Sequence, residues 1–388
     1  MTTQDVAILD FGSGKITVLI GRRGVNNTIC IVGMGECEYE GFFEGNFLAP
    51  EQLSYVVGRA ITNAETNSRT QISHLYIGVP GEFTTCTCRD IVMSLGRKRA
   101  VTEDDVDALF ERGNTFGGHP DYTLINMQPI YFTLDDERRL IQPVGLKSSK
   151  ISSLVSYVLA ENTFIDFVDQ IMNDLGIESH EYVSSLLAET LFLFDDIKRD
   201  QYVVLIDCGY IATNVVVARG DGLLQQFNIS LGGGNITGDL ATYLNISFTQ
   251  AEALKRKVIL SLDVGESDVY EINSGRDEAI AFPADIVNEI VMERINTIAS
   301  TIAKALNGCV YDFPDHIPYY LTGGGLAYLK GGRDYLSKML GKTVEIIAPS
   351  LPQLNRPHLS SSMGLLDMVL GSLKPAKKKS FLDKLFGR

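Results

Sequence analysis

The sequence predicts an α/β chain made of two related halves, with a small α+β insertion in the first. Three observations carry that expectation. Strand-like runs ending in an Asp-x-Gly turn occur twice, at Leu9-Asp10-Phe11-Gly12 and Ile206-Asp207-Cys208-Gly209. Each continues as further strands and is followed by helices with 3.6-residue apolar spacing. Between them, residues 83–159 change character to strand-like runs around one short helix. The length of 388 residues suits two or three lobes of roughly 150 residues each.

In the first half, residues 6–9, 16–20 and 28–34 read as successive strands separated by glycine-containing turns. Leu53, Val56, Val57, Ala60, Ile61 and Ala64 then share one helical face, and residues 74–79 return as a strand closed by Pro80-Gly81. The insertion has strand-like runs at 83–88, 126–133 and 152–159 and a loop at 113–122. Its helix starts after Thr102, which with Asp105 resembles a capping box. A helix from Asn162 carries Phe164, Ile165, Val168, Ile171, Met172 and Leu175 and stops at Gly176. A second apolar helix is expected over about 182–194. The second half repeats the opening order, with strands at 202–206, 211–218 and 223–230. A long helix with Ile286, Ile290, Ile295, Ile298, Ile302 and Leu306 on its apolar face leads to a strand at 319–321. Two such halves usually pack around a cleft.

Composition excludes several classes. With 45% hydrophobic and 21% charged residues, 36 Gly and no Trp, the chain is neither disordered, collagen-like nor a coiled coil. The net charge is −14, which argues against general nucleic-acid binding. Residues 374–388 are the exception, holding Lys374, Lys377, Lys378, Lys379, Lys384 and Arg388 against Asp383. No run of ~18 apolar residues is present to span a bilayer, and the opening MTTQDVAILD has no secretory pattern. Of six cysteines only Cys86 and Cys88 are close, so reduced thiols are expected. The five histidines stand alone, so no structural zinc is expected.

Three glycine-rich turns each follow a strand. In Asp10-Phe11-Gly12-Ser13-Gly14-Lys15, glycines let main-chain N–H groups approach phosphate oxygens, Ser13 adds a hydroxyl and Lys15 a point charge. Asp10, at the strand end, suits hydrated Mg2+. Hairpin turns also take this pattern for conformational reasons alone. The second turn is Asp207-Cys208-Gly209-Tyr210-Ile211-Ala212-Thr213. The third, Thr322-Gly323-Gly324-Gly325, offers bare backbone to a purine or its α-phosphate. Between them lies Gly232-Gly233-Gly234-Asn235-Ile236-Thr237-Gly238-Asp239. Glu252 and Lys255 share a helix face, suited to ribose and base or simply to a solvated ion pair.

In this order the turns, the insertion, the Gly-Gly-x-x-Thr-x-Asp run, the Glu-x-x-Lys pair and the Thr-Gly-Gly-Gly turn resemble the nucleotide site of the actin/Hsp70/sugar-kinase superfamily. Within it, essentially the whole chain is similar to FtsA, the actin-like family that tethers the FtsZ division ring to the bacterial membrane. The likeness rests on Gly12-Ser13-x-Lys15 and on Val79-Pro80-Gly81 before the insertion. It rests also on Pro129-Ile130-Tyr131-Phe132 and Pro143-Val144-Gly145 within the insertion, and on Pro357 with Met363-Gly364-Leu365-Leu366 as a second interdomain connector. A basic amphipathic segment at the end completes it.

The resemblance implies an actin-like (duplicated ribonuclease H-like) two-lobed fold. First-lobe core would be 1–82 and 160–197, the inserted subdomain 83–159, and second-lobe core 198–240 and 309–355. An outer second-lobe subdomain would be 241–308, a connector helix 356–372, and a linker with a C-terminal helix 373–388. It implies ATP and Mg2+ as ligands, with Asp10 and Asp207 facing the cation directly or through water. Gly12, Ser13, Gly14, Lys15, Gly209 and Thr213 would line the phosphates. Gly233, Gly234, Glu252, Lys255, Gly323 and Gly324 would surround ribose and adenine, with Gly325 beside them. Implied partners are the FtsZ C-terminal peptide, further copies in a filament, an anionic membrane surface, and other division proteins through the insertion. The implied location is the cytoplasmic face of the membrane at the septum. Arg294 matches a basic position of the peptide surface, and reads equally as an exposed helix arginine beside Glu293. One departure stands out: the family's run of glycines in the second turn is reduced to Gly209, followed by Tyr210-Ile211-Ala212. Side chains there stand where backbone should hug phosphate, so at most weak ATPase activity is expected.

At the end of the chain, Phe381, Leu382, Leu385 and Phe386 fall on one helical face, with Lys377, Lys378, Lys379 and Lys384 elsewhere, as in a helix lying among lipid headgroups. Burying four such side chains is worth roughly 6–8 kcal/mol gross, and each basic residue adds about 1 kcal/mol near an anionic surface. Ordering a short helix removes much of this. One tail should therefore bind weakly, and a polymer would raise avidity. A tail docked on its own core and a basic degradation-prone end are the other readings. Two further functions compete: an actin-like adaptor of type IV pilus assembly, which reaches the membrane through a partner peptide, and a sugar-kinase-type phosphotransferase. The tail argues against the first, and the absence of a sugar-site constellation against the second.

Overall fold

A computed structural model describes residues 5–265, 267–273, 279–351 and 354–372. Strand β1 (Val6–Phe11) turns into β2 (Lys15–Arg23), which pairs with β3 (Ile29–Glu38), each antiparallel to the one before. All six β1 residues are buried, as expected of a strand covered on both faces. The hairpin β4 (Phe42–Phe43) and β5 (Asn46–Phe47) precedes α1 (Pro50–Ser68), which buries the six residues picked out by periodicity. Helix and strand meet backbone to backbone: a methyl group at Gly35 would lie 1.9 Å from Ala60 O. Strand β6 (Leu75–Val79) then joins β1 in parallel.

The chain next leaves this sheet. Strand β7 (Thr84–Ala100), helix α2 (Glu103–Gly113), β8 (Tyr122–Thr133), β9 (Arg139–Leu140) and β10 (Lys147–Glu161) build a separate sheet in the order β7-β10-β8-β9. The Thr102–Asp105 capping box is formed. One face of this sheet closes its own core with Ile91, Leu109, Phe132, Ile151, Val155 and Tyr157. The other face rests on the second half: Ser156 Oγ donates to Leu223 O at 2.6 Å, and Asp221 N–H donates to Pro129 O at 3.0 Å. Strand β7 runs far beyond residue 88, because β10 pairs with it from Thr84 to Ala100.

Helix α3 (Asn162–Asp174) ends where expected, with Gly176 at φ +72°. Residues 182–184, expected to be helical, instead belong to β11 (His180–Ser184), which pairs in parallel with β6. Pairing with a sheet edge overrides the apolar helical pattern there. Helix α4 (Ser185–Leu193) starts only at Ser185, with Ser184 Oγ accepting from Leu187 N–H, and α5 (Asp196–Asp200) follows.

The second half repeats the first. Strands β12 (Val203–Cys208), β13 (Thr213–Arg219) and β14 (Gly222–Ile229) lead to α6 (Gly233–Leu244) and α7 (Phe248–Lys255). The hairpin β15 (Val269–Asn273) and β16 (Ala279–Pro283) precedes α8 (Ala284–Asn307). Helix α8 buries Val287, Val291, Ile295, Ile298, Ile302 and Leu306, whereas Ile286 is exposed and Ile290 lies at the margin. The buried stripe is thus one position off the isoleucine pattern in the first turns. Strand β17 (Tyr319–Thr322), α9 (Gly332–Leu340) and β18 (Val344–Ile346) complete the sheet. Helix α10 (Ser360–Ser372) then returns to pack on α4 and β1.

The two five-stranded sheets run β11-β6-β1-β2-β3 and β14-β13-β12-β17-β18. Matching β1, β2, β3, β6 and β11 with β12, β13, β14, β17 and β18 preserves every neighbour and every parallel or antiparallel sense. This repeat puts Asp10 and Asp207 at equivalent places, each at the end of the central strand beside a turn.

Candidate functional site

In the first turn, Asp10 is 7% exposed and accepts at Oδ1 from Ser361 Oγ at 2.9 Å and Ser185 Oγ at 3.4 Å. Those hydroxyls come from α10 and α4, so both helices that cross between the halves meet at this carboxylate. Gly12 N–H bonds back to Lys15 O at 3.0 Å, and Tyr39 Oη donates to Gly12 O at 2.7 Å, which fixes the turn. Lys15 is paired with Glu36 on β3.

The second turn reaches across to the first. Tyr210 N–H donates to Ser13 Oγ at 2.8 Å and Ile211 N–H to the same oxygen at 3.3 Å. The Tyr210 ring lies along Gly14: a methyl group there would be 3.2 Å from Tyr210 Cδ1. The ring's far end reaches α6, where a methyl group at Gly234 would be 3.1 Å from Tyr210 Cζ. The Ile211 side chain crosses too, its Cδ1 2.6 Å from where a methyl group at Gly41 would stand. The first N–H groups of α6 are taken by the turn itself, Gly233 N–H by Gly209 O at 2.9 Å and Gly234 N–H by Tyr210 O at 2.6 Å. Thr213 is fully buried and its hydroxyl donates to Leu231 O at 2.7 Å, so it braces β13 rather than facing the cleft.

On the outer side, Lys255 Nζ sits 2.6 Å from Glu252 Oε2 and also donates to Gly233 O at 3.0 Å and Thr237 Oγ1 at 2.9 Å. Its side chain is only 11% exposed, so this is not the solvated pair the spacing also allowed. Loss of solvation alone would raise the Glu252 pKa, but the bonds from Lys255 and Thr237 outweigh it and hold the carboxylate below its usual range. In the third turn, Gly323 has φ +84°, and Gly325 N–H donates to Cys208 O at 2.7 Å. His358 packs beside Gly324, and its Nδ1 is 2.6 Å from Tyr328 Oη.

Asp10, Asp207 and a third carboxyl form the electrostatic centre. Burial pushes Asp10 up to about 6; the Ser361 bond moderates the rise and the nearby Asp207 charge adds to it. Burial likewise lifts Asp207 to about 6, moderated by Asn214. Glu189, on α4, is 1% exposed and lies well above the ordinary carboxylate range, through burial first and the Asp207 charge second. Ser360 Oγ donates to Glu189 Oε1, while Oε2 has no protein partner. Sequence reasoning missed Glu189, Ser185 and Ser361. A signal existed for the first: it is the one charge in the otherwise apolar or hydroxyl-bearing helix Ser185–Leu193.

The fold therefore gathers Asp10, Gly12, Ser13, Gly14, Lys15, Asp207, Gly209, Gly233, Gly234, Glu252, Lys255, Gly323, Gly324 and Gly325 around one cleft, and leaves Thr213 behind it. Arg294 stands apart on α8, held by Asp239 through Nε at 2.6 Å and Nη2 at 2.7 Å rather than by Glu293. The membrane-directed residues Lys377, Lys378, Lys379, Phe381, Leu382, Lys384, Leu385 and Phe386 lie outside the described residues.

Two sheets of one topology, joined by crossing helices and closing on paired Asp turns, define an actin-like two-lobed protein carrying an inserted domain. Solved structures agree on the fold. The PilM–PilN type IV pilus biogenesis complex gives a TM-score of 0.62 at 16% identity, covering 95% of this chain and 99% of that one. MreB5 of Spiroplasma citri bound to AMPPNP gives 0.55 at 10% identity, covering 95% and 98%. The family model for cell division protein FtsA matches residues 204–364, and that for the SHS2 domain inserted in FtsA matches 81–159. The chain belongs to the FtsA family. FtsA of Enterococcus hirae is 23% identical over 374 residues, covering 92% of this chain and 81% of that protein. FtsA of Escherichia coli K12 is 22% identical over 377 residues, covering 92% and 88%.

Actin-like proteins bind nucleotide between such turns, and the arrangement here does not fit Mg-ATP as it stands. The buried Asp10 and the partly exposed Asp207 suit a divalent cation, although no group of three or more metal-ligating side chains occurs among the described residues. Between the first turn and the start of α6, however, stands the Tyr210 ring, against Gly14 and Gly234. The N–H groups of Gly209, Gly233, Gly234 and Gly325 all bond within the protein.

Proposed function

We propose that this chain is a bacterial cell-division scaffold that attaches the FtsZ ring to the cytoplasmic face of the membrane and recruits other division proteins at the septum. The observation that carries the reading is the double match to FtsA, in the second half and in the inserted domain. Attachment is assigned to the basic amphipathic segment ending in Phe386. No helix among the described residues is long and apolar enough to cross a membrane. Self-association into filaments multiplies weak tails into firm attachment. The FtsZ C-terminal peptide is assigned to the α8 surface that includes Arg294, and the inserted domain to the other division proteins. ATP with Mg2+ is the ligand assigned to the cleft, Asp10 and Asp207 toward the cation, once Tyr210 has moved.

Co-pelleting with anionic liposomes tests the reading, using the full chain and a 1–373 truncation with and without Mg-ATP. Binding by the full chain alone supports a tail-borne tether; binding by neither sinks it. For the peptide surface, Arg294→Glu should weaken FtsZ-peptide binding at least about tenfold with the fold intact, since it reverses a charge on the assigned surface and breaks the Arg294–Asp239 pair there. Unchanged affinity refutes that assignment.

A further inference from the structure

We infer that Tyr210 is a plug supplied by the protein itself: its ring fills the phosphate position between the first turn and the N-terminus of α6, so that nucleotide enters only when the ring leaves. This rests on the nucleotide assignment above and deepens it. Four observations converge. The ring lies over Gly14 of the first half and Gly234 of the second, so close that a methyl group would stand 3.2 Å from it at Gly14 and 3.1 Å from it at Gly234, and neither glycine has a side chain to keep it out. It also meets Phe248, edge-on with ring centroids 6.4 Å apart, and Lys255, whose Nζ is 5.9 Å from the ring centre, while the Glu252 and Glu38 charges face its hydroxyl. An aromatic ring gains from both contacts.

The third observation concerns donors. A helix N-terminus is an anion site because its first N–H groups are unpaired, but here the carbonyls of Gly209 and Tyr210 occupy those of Gly233 and Gly234. The turn thus takes the α6 donors, while its own next two N–H groups go to Ser13 Oγ. Fourth, Ile211 packs its side chain against Gly41, a second apolar contact between the halves. The closed cleft is held by protein groups throughout. At 38% exposure the Tyr210 ring is half-wrapped rather than locked in the core, so it can swing out without unfolding. A competitor of this kind lowers apparent nucleotide affinity by the fraction of molecules with the ring displaced.

Calorimetric titration of the full-length protein with Mg-ATP tests this, comparing wild type, Tyr210→Phe and Tyr210→Gly. The glycine variant should bind at least about tenfold more tightly than wild type, and the phenylalanine variant should stay with wild type because the ring, not the hydroxyl, fills the space. Hydrogen exchange gives a second readout: without nucleotide, the Gly233 and Gly234 amides should be protected in wild type and exchange faster in Tyr210→Gly. Equal, tight binding by wild type and Tyr210→Gly overturns the plug and leaves the nucleotide site standing. Binding by none of the three overturns both. Should Tyr210→Gly fail to fold by circular dichroism, Tyr210→Ala replaces it with the same expected outcomes.

Discussion

The two Asp turns of this molecule start from the same frame and end in opposite roles. Asp10 pairs with Thr17 across its hairpin and Gly78 in parallel; Asp207 pairs with Asn214 and Thr322. Asp10 is buried and Asp207 partly so, and loss of solvation lifts both to about 6. The turns that follow diverge. The first keeps Gly12 and Gly14 around Ser13 and receives; the second keeps only Gly209 and sends Tyr210 and Ile211 across the cleft. A duplicated sheet fixes where the carboxylates stand, while a few turn residues decide which half reaches over.

That asymmetry can be broken or sharpened by substitution, and the largest effect belongs to the second half. A methyl group at Gly233 would lie 2.6 Å from Gly325 Cα, backbone against backbone, so Gly233→Ala should cost about 3 kcal/mol of stability by denaturant unfolding. Next come the carboxylates. An unfolded aspartate titrates near about 3.9, so the folded protein binds extra protons between about pH 4 and 6. Stability from these groups is full below that window and is lost as pH rises through about 6. Asp10→Asn and Asp207→Asn should each therefore gain about 2 kcal/mol over wild type at pH 7.5 in chelator, and little at pH 4. Equal gains would sharpen the likeness of the two carboxylates; a pH-independent difference would break it.

Smaller effects follow. Ser13→Ala removes the acceptor of two N–H groups from the second turn and should cost about 1 kcal/mol, read as a lowered midpoint. Gly14→Ala meets the Tyr210 side chain, nearest at its movable ring, and should change stability by about 0.5 kcal/mol or less. If Gly14→Ala proved as costly as Gly233→Ala, the receiving and reaching roles would have to be abandoned.

Much of the frame was legible before any coordinates. An Asp at a strand end followed by glycine is a local signal, and so are the α1 stripe, the Thr102 cap and the Gly176 stop. Residues 182–184 were misread because a short apolar run fits strand or helix equally, and only the edge of β6 decides. Ile286 was misplaced because repeated isoleucines suggested a stripe that the packing of α8 shifts to Val287 and Val291. In the site, the glycines and carboxylates could be named, and the loss of glycines at Tyr210 could be noticed. Where that ring goes could not, since Gly14, Gly234 and Phe248 are neighbours only after folding. Glu189 stayed hidden for the same reason: its partners Ser360, Asp10 and Asp207 come from three distant segments.

The inserted domain has a mechanical consequence. Its strands leave and rejoin the first half, yet its sheet leans on β14 of the second through Ser156, Pro129 and Gln226, whose Nε2 donates to Thr84 O at 2.7 Å. A methyl group at Gly220 would lie 2.0 Å from Ile130 O, so the fit there is backbone-tight. The insertion is thus a strut between the two halves. Any rocking of one half against the other must slide β14 along it or carry it along, and packed surfaces yield in small discrete steps rather than smoothly. Whatever opens the cleft would therefore be felt first at the start of β7, where Thr84 and Cys88 bond to β14.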